Sequence, residues 1–243
     1  MRHSLHRALL ACALTFLAAC SSQPDAPKAA HDPAAKSFYI QSTSVKLEKL
    51  LPKPSADKSP ITRGEGDLMI ALQSEASPAS KDRAKSEDTL IPWVYADVLG
   101  PNFSKAKMPL TADLLDKAEK DTHAITEDAK RFWDRDRPSH QDSRITPLLK
   151  VPTNASYPSG HATRAILWAR ILGVLSPKDK EALRDRARLV ALDRVIIGVH
   201  YPTDVAAGMA LGDAIADQLM LSEAFKADLE KAKAEWPSTE KPY

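Results

Sequence analysis

Three short stretches carry side chains whose types and spacing suit joint chemistry. The first is Ser159-Gly160-His161, inside Tyr157-Pro158-Ser159-Gly160-His161-Ala162-Thr163. Proline and glycine mark a turn there, and Ala162 to Leu175 continues at helical spacing, with Ile166, Ala169, Leu172 and Gly173 on one side. Ser159 is therefore expected at a helix N-cap and His161 in the first turn. The free N–H groups and positive dipole end of such a helix attract an anion. The second stretch is Lys130-Arg131-Phe132-Trp133-Asp134-Arg135-Asp136-Arg137-Pro138. Lys130 and Arg137 are seven apart, so two helical turns put them on nearly one side. An ammonium and a forked guanidinium together suit a tetrahedral oxyanion. The third stretch runs from Asp193 to Asp204. Arg194 sits in an otherwise apolar helical run, where a charge without a partner is costly. His200 and Asp204 are four apart at a helix start. There a carboxylate takes one ring N–H and leaves the other nitrogen with its lone pair.

Each stretch alone also suits a structural role. Ser159 would simply cap a helix that carries a surface His161. The basic run would be a solvated face, with Arg131 and Arg135 paired to neighbouring Asp. His200 and Asp204 would be a pair capping a helix. Order and spacing across all three decide. Lys130…Arg137-Pro138, then Pro158-Ser159-Gly160-His161, then Arg194…His200…Asp204 resemble the type 2 phosphatidic acid phosphatase superfamily. Leu50-Leu51-Pro52-Lys53-Pro54 is similar to the Pro-rich segment near the start of soluble class A bacterial non-specific acid phosphatases. Asp193 stands where that superfamily usually has Ser, which would weaken phosphate binding or hold Arg194 or Arg137. Ser139-His140 replaces a frequent aromatic, and His140 reads as a surface-loop residue.

The resemblance implies an all-α, single-domain helical bundle of the acid phosphatase/vanadium haloperoxidase type. It also implies hydrolysis of small phosphomonoesters. His200 would be the nucleophile that forms a phosphohistidine, and Asp204 would fix its tautomer. His161 would protonate the leaving alkoxide and then activate water. Lys130, Arg137, Arg194, the Ser159 hydroxyl and the Gly160 N–H would hold the non-bridging oxygens. Three cations and a helix end can supply the charge that phosphoryl transfer needs. No cofactor and no metal are expected, since His31, His123 and His140 show no ligand spacing. A neutral His200 beside a protonated His161 implies an acidic-to-neutral optimum with two limbs. The rivals are a lipid-phosphate or diphosphate phosphatase, a vanadate haloperoxidase, and a non-catalytic anion-binding lipoprotein.

The elements that must position these residues read as helices joined by proline-marked loops. Val45 to Leu51 makes one or two turns, and Ser55 to Pro60 is loop. Glu65 to Ser77 is a helix burying Leu68, Ile70, Ala71 and Leu72. Pro78 to Asp88 is a solvated helix or loop, and Leu90 to Leu99 is a core piece ended by Gly100-Pro101. Thr111, as cap, opens a long helix to Asp136 whose stripe is Leu115, Ala118, Thr122, Ile125, Ala129 and Phe132. Pro147 to Pro158 is loop. Ser176-Pro177 starts the next helix and Gly198 interrupts it. Tyr201-Pro202 opens a core helix whose small residues allow a neighbour close. Leu219 to Trp236 forms a terminal helix.

Composition bounds the rest. The chain has 243 residues, only 8 glycines and few aromatics, which favours helices. A basic start (Arg2, His3, His6, Arg7) and the apolar Ala8 to Ala19 form a signal-like segment. It ends in Leu17-Ala18-Ala19-Cys20-Ser21, which resembles a lipobox and implies cleavage before Cys20 and lipidation of that thiol. The expected organisation is a lipoprotein signal over 1–19, a flexible tether over 20–37 and the helical domain over 38–243. That places the protein in the periplasm or cell envelope, held to the outer membrane by its N-terminal lipid. Loss of residues 1–19 removes Arg2, Arg7 and no acid, leaving 32 basic against 32 acidic side chains. A nucleic-acid partner is therefore not expected. The mature domain keeps no other cysteine, which excludes thiol catalysis and disulfides. The oligomeric state is left open, a homo-oligomer included.

Overall fold

Prolines set where most of the helices begin. The computed structural model describes residues 37–236, and among them all regular structure is helical, as expected. The expected signal, Cys20 and all but the last residue of the tether lie outside the described residues. A single turn, α1 (Leu47–Leu50), stops before Pro52. α2 (Pro60–Glu75) begins five residues before the expected Glu65, since Ser59 accepts the Thr62 N–H and Pro60 takes the first helical position. Its buried side is Thr62, Glu65, Gly66 and Met69, while Leu68, expected inside, faces solvent. α3 (Pro78–Ser86) is the solvated piece, capped by Ser77. A 3-10 turn (Pro92–Tyr95) and α4 (Ala96–Leu99) end at Gly100, whose φ of 87° suits glycine.

α5 (Pro109–Trp133) corrects the expected long helix at both ends. Thr111 is not its cap but lies in its first turn, giving its N–H and hydroxyl to Glu235. The stripe from Leu115 to Ala129 is buried, but Phe132 is exposed. The helix stops at Trp133 rather than Asp136, because Asp134 turns into the left-handed region (φ 44°) and its N–H closes on the Lys130 carbonyl. A short α6 (Pro138–Gln141) follows, and it carries the exposed His140.

α7 (Gly160–Leu175) lies at the centre. It is apolar nearly all round, with Ala165 to Ala169, Ile171 and Leu172 buried, and such a helix needs neighbours on every side. Those neighbours are α5, α8 (Lys180–Ile197) and α9 (Pro202–Leu221). A 3-10 turn, Pro177–Asp179, leads into α8. α9 comes close to α7 through glycine, as its small residues suggest. A Cβ at Gly208 would overlap the Ser159 carbonyl oxygen, and one at Gly212 would stand 2.5 Å from that of Thr163. The expected terminal helix is two: α9 runs on to Leu221, and Ser222 caps α10 (Glu223–Lys233). No helix among the described residues is long and apolar enough to cross a membrane.

Candidate active site

Ser159 caps α7 as expected, with Oγ 3.5 Å from the Ala162 nitrogen, and Gly160 and His161 form the first turn. The Ser159 N–H donates to the Asp204 carbonyl at 2.9 Å, and the Asp204 carboxylate accepts the Tyr201 N–H at 2.8 Å. The start of α7 and the start of α9 are thereby joined, main chain to main chain. Gly198 makes this possible: at φ 86° it ends α8 and turns the chain so that His200 comes before α9.

His200 is buried. Arg137 Nη1 lies 3.0 Å from its Nε2, and a guanidinium can only donate, so Nε2 carries a lone pair and Nδ1 the hydrogen. Nδ1 faces Asp204 Oδ2 at a long 3.5 Å, and the Ser156 main chain also favours a proton on the ring. Asp204 is fully buried and heavily engaged. Oδ2 also accepts from the Ser156 hydroxyl, and Oδ1 accepts from Arg135 Nη1 at 2.7 Å.

Lys130 and Arg137 do meet, but not on one helical face. Lys130 is in the last turn of α5, whereas Arg137 is in extended backbone beyond it. Both grip the same loop instead. Lys130 Nζ donates to the Ala155 carbonyl at 2.6 Å, and Arg137 reaches the Asn154 carbonyl at 3.0 Å, Asn154 Oδ1 at 2.7 Å and the Val199 carbonyl at 2.9 Å. Lys130, Arg137, Gly160 and His200 line a cavity of about 190 Å³, together with Glu127 and Arg164. Arg194 is buried on α8. Its Nη2 stands 3.5 Å from Asp88, while Nε and Nη1 have no partner. Two buried guanidinium donors left unpaired are costly unless an anion takes them. Asp193 is not part of this group: it takes a two-pronged bond from Arg83 on α3, at 2.8 and 2.9 Å, and holds neither Arg194 nor Arg137.

His161 lies on the flank. Its Nε2 faces the Glu87 and Asp88 carbonyls at 3.2 and 3.1 Å, so this nitrogen carries hydrogen, and Nδ1 faces Arg164 Nη2 at 3.5 Å. Burial pushes the His161 imidazole well below its ordinary value, and the charges of Arg194 and Arg164 push the same way. Burial and then Arg137, Lys130 and Arg194 do likewise to His200. Lys130 is lowered to about 7 by burial, then by Arg137, and Arg137 to about 10 by burial. The site is thus a crowd of desolvated cations, which an anion would relieve. Among the described residues no three His, Cys, Asp or Glu side chains gather to hold a metal.

Two site residues escape the sequence reading. Arg164 is one turn beyond His161 and lines the cavity. Arg135, which the structural alternative places on a solvated face, is buried, bonded to Glu65 Oε2 at 2.7 Å and Thr203 Oγ1 at 2.8 Å, and stacked 3.9 Å over the Tyr201 ring.

Comparison with known proteins agrees with this geometry. Residues 122–223, which contain every cavity-lining residue named above, match the PAP2 superfamily. The chain is 27% identical over 207 residues to the non-specific acid phosphatase of Salmonella typhimurium, covering 82% of this chain and 83% of that one. It is 41% identical over 93 residues to the decaprenylphosphoryl-5-phosphoribose phosphatase of Mycolicibacterium smegmatis, covering 35% of this chain and 46% of that one. A bacterial vanadium-dependent iodoperoxidase shares the fold with a TM-score of 0.57 at 16% identity, over 73% of this chain and 53% of that one. Fold and matches make the chain similar to helical phosphatases. Within that likeness, the PAP2 match spans residues 122–223, and the similarity to the acid phosphatase runs over most of the chain.

Proposed function

We propose that the protein is an exported acid phosphatase that hydrolyses phosphomonoesters through a phosphohistidine at His200. The observation that carries this reading is the buried His200 Nε2, lone pair available, faced by Arg137 beside Lys130 and the unpaired donors of Arg194. A phosphoryl group entering the cavity takes over the Arg137 hydrogen bond through a non-bridging oxygen, and Nε2 is released to attack phosphorus. The P–O bond to the leaving group breaks as the N–P bond forms. His161, protonated in the presence of the phosphate dianion, gives its proton to the leaving alkoxide. In the second half His161 takes a proton from water, the resulting hydroxide attacks phosphorus, the N–P bond breaks and phosphate leaves. Lys130, Arg137, Arg194, Ser159 and the Gly160 N–H stabilise the oxygens throughout, which is where such sites draw most of their rate. The charge comes from fixed side chains and a helix end, so no metal is assigned to the reaction.

Cys20 carries the lipid in this reading and holds the domain to the outer membrane. A lipid phosphate is the second substrate reading. It is favoured by the likeness of the motif region to the decaprenylphosphoryl-5-phosphoribose phosphatase and, at 34% identity over 87 residues, to the lipid A 1-phosphatase of Rhizobium etli. Hydrolysis of an aryl phosphate in the presence of chelator tests the mechanism. Wild type should be active, and His200→Ala should lose about 10⁴-fold or more. Full activity of the variant, or loss of wild-type activity to chelator, overturns it. A lipid phosphate in detergent, assayed beside the aryl ester, separates the two substrate readings.

A further inference from the structure

We propose that Arg135 is a positioning residue for the reaction: anchored by Glu65, it shares the charge of Asp204 and thereby keeps His200 unprotonated. This rests on His200 being the nucleophile.

The residues form one buried chain of alternating charge. Glu65 comes from α2, Arg135 from the link between α5 and α6, Asp204 from the first turn of α9, and His200 from the turn before it. All four are under a tenth exposed. Glu65 Oε2 accepts from Arg135 Nη2, and Arg135 Nη1 donates to Asp204 Oδ1, each at 2.7 Å. Glu65 Oε1 fixes the other side by accepting from the Thr203 N–H at 2.9 Å and hydroxyl at 2.6 Å. The Tyr201 ring closes over the guanidinium. Arg135 therefore has little freedom to move away from Asp204.

The consequence lies in how Asp204 is divided. Its Oδ1 belongs to Arg135; its Oδ2 serves Ser156, the Tyr201 N–H and, at 3.5 Å, His200. A carboxylate given wholly to an imidazole would favour the imidazolium, which cannot attack. Here a fixed cation takes much of that charge. The reaction needs one neutral and one protonated histidine at the same acidic pH, although the two share an ordinary value near 6.5. The groups facing His200 are Arg137, Lys130, Arg194, Asp204, the Ser156 main chain and, across the site, His161. Arg135 stands behind Asp204 and Glu65 behind Arg135. Removing Arg135 strengthens the pull of Asp204 on a proton at His200. Removing the charge of Glu65 does the reverse, because Arg135 then gives more of itself to Asp204.

The test measures kcat, KM and pH profiles on aryl phosphate for Arg135→Met, Arg135→Lys and Glu65→Gln, with thermal unfolding as a check and His200→Ala alongside. Arg135→Met should lose about a hundredfold in kcat with KM within about twofold, and its acid limb should move up by about one pH unit. Arg135→Lys should recover part of both. Glu65→Gln should move the acid limb the other way, a sign change that a merely structural role does not give. If Arg135→Met does not fold, the direction of the Glu65→Gln shift decides. An unmoved acid limb in the folded variants, or losses that appear in KM alone, overturns the proposal. Activity retained in His200→Ala instead removes the functional reading beneath it.

Discussion

Changing Lys130 to methionine removes a charge that the empty site barely retains. Burial, and the Arg137 guanidinium next to it, lower the Lys130 ammonium to about 7. Bound anion restores the proton, so anion affinity must depend on pH. Sulfate is the useful probe, because it remains a dianion throughout the range while phosphate does not. Below about pH 6 Lys130 is charged in the free protein and binding needs no proton uptake. Above about pH 7 each unit weakens sulfate about tenfold, or ~1.4 kcal/mol, for about a hundredfold loss by pH 9. Lys130→Met should bind sulfate weakly at every pH and without that slope. The sign for stability is opposite. With its value depressed by folding, Lys130 binds fewer protons in the native state than in the unfolded chain between about pH 7 and about pH 10. The stability of the empty protein therefore rises through that window as the stabilisation by sulfate fades. Titration calorimetry at constant ionic strength, with thermal unfolding with and without sulfate, reads both. A wild-type affinity that stays flat from about pH 6 to about pH 9 would refute the burial argument for Lys130.

Other outcomes follow from the same contacts. Both histidines are held below their ordinary value, so the acid limb (His200 gaining a proton) and the alkaline limb (His161 losing one) both move down, and kcat/KM should peak on the acidic side; a peak in the alkaline range contradicts the assigned roles. Those depressed values also mean that the unfolded chain takes up protons before the native one, so stability should fall as pH drops through about 6.5. Gly208→Ala puts a methyl into the Ser159 carbonyl and should cost about 1–3 kcal/mol in denaturant unfolding, with activity lost beyond the stability effect. Arg83→Ala leaves Asp193 buried without its two-pronged partner; the penalty should be about 3 kcal/mol, at the lower end for such pairs because Arg83 is partly exposed. Asp193→Asn in the Arg83→Ala background should recover much of that loss.

The sequence makes the anion site legible because motif spacing reports chemistry whichever backbone presents it. Gly160, Lys130, Arg137 and His200 line one cavity, Ser159 caps the helix at its edge, and Arg194 and His161 lie beside it. The route by which Lys130 and Arg137 converge was misread. A seven-residue spacing suggests one helical face, but Asp134 breaks the helix, and the 154–156 loop brings the two cations together. That loop contact is between residues about twenty apart and leaves no periodic trace. Arg135 was missed for a related reason. A charged residue among charged residues looks solvated, and only the folded position of Glu65 shows that it is buried. Asp193 looked like an intruder in the site, yet adjacent positions on α8 point apart, and its partner Arg83 is 110 residues away. Helix boundaries moved wherever a proline or serine outweighed the apolar pattern, as at Ser59-Pro60 and Ser222.

The glycine contact between α7 and α9 bears on how such a site can diversify. Gly208 and Gly212 bring two backbones together, and Ser159 is bonded to Asp204 across the seam. The turn that carries His161 and the turn that carries His200 therefore behave as one rigid piece. The remaining wall is made by separate segments: Glu87-Asp88, the end of α5 with Glu127, and the loop at Asn154. Changes in those segments can reshape the wall around a different bound group while the spacing of His161 and His200 stays fixed. The seam holds the two histidines in one register and leaves the surrounding wall free to vary.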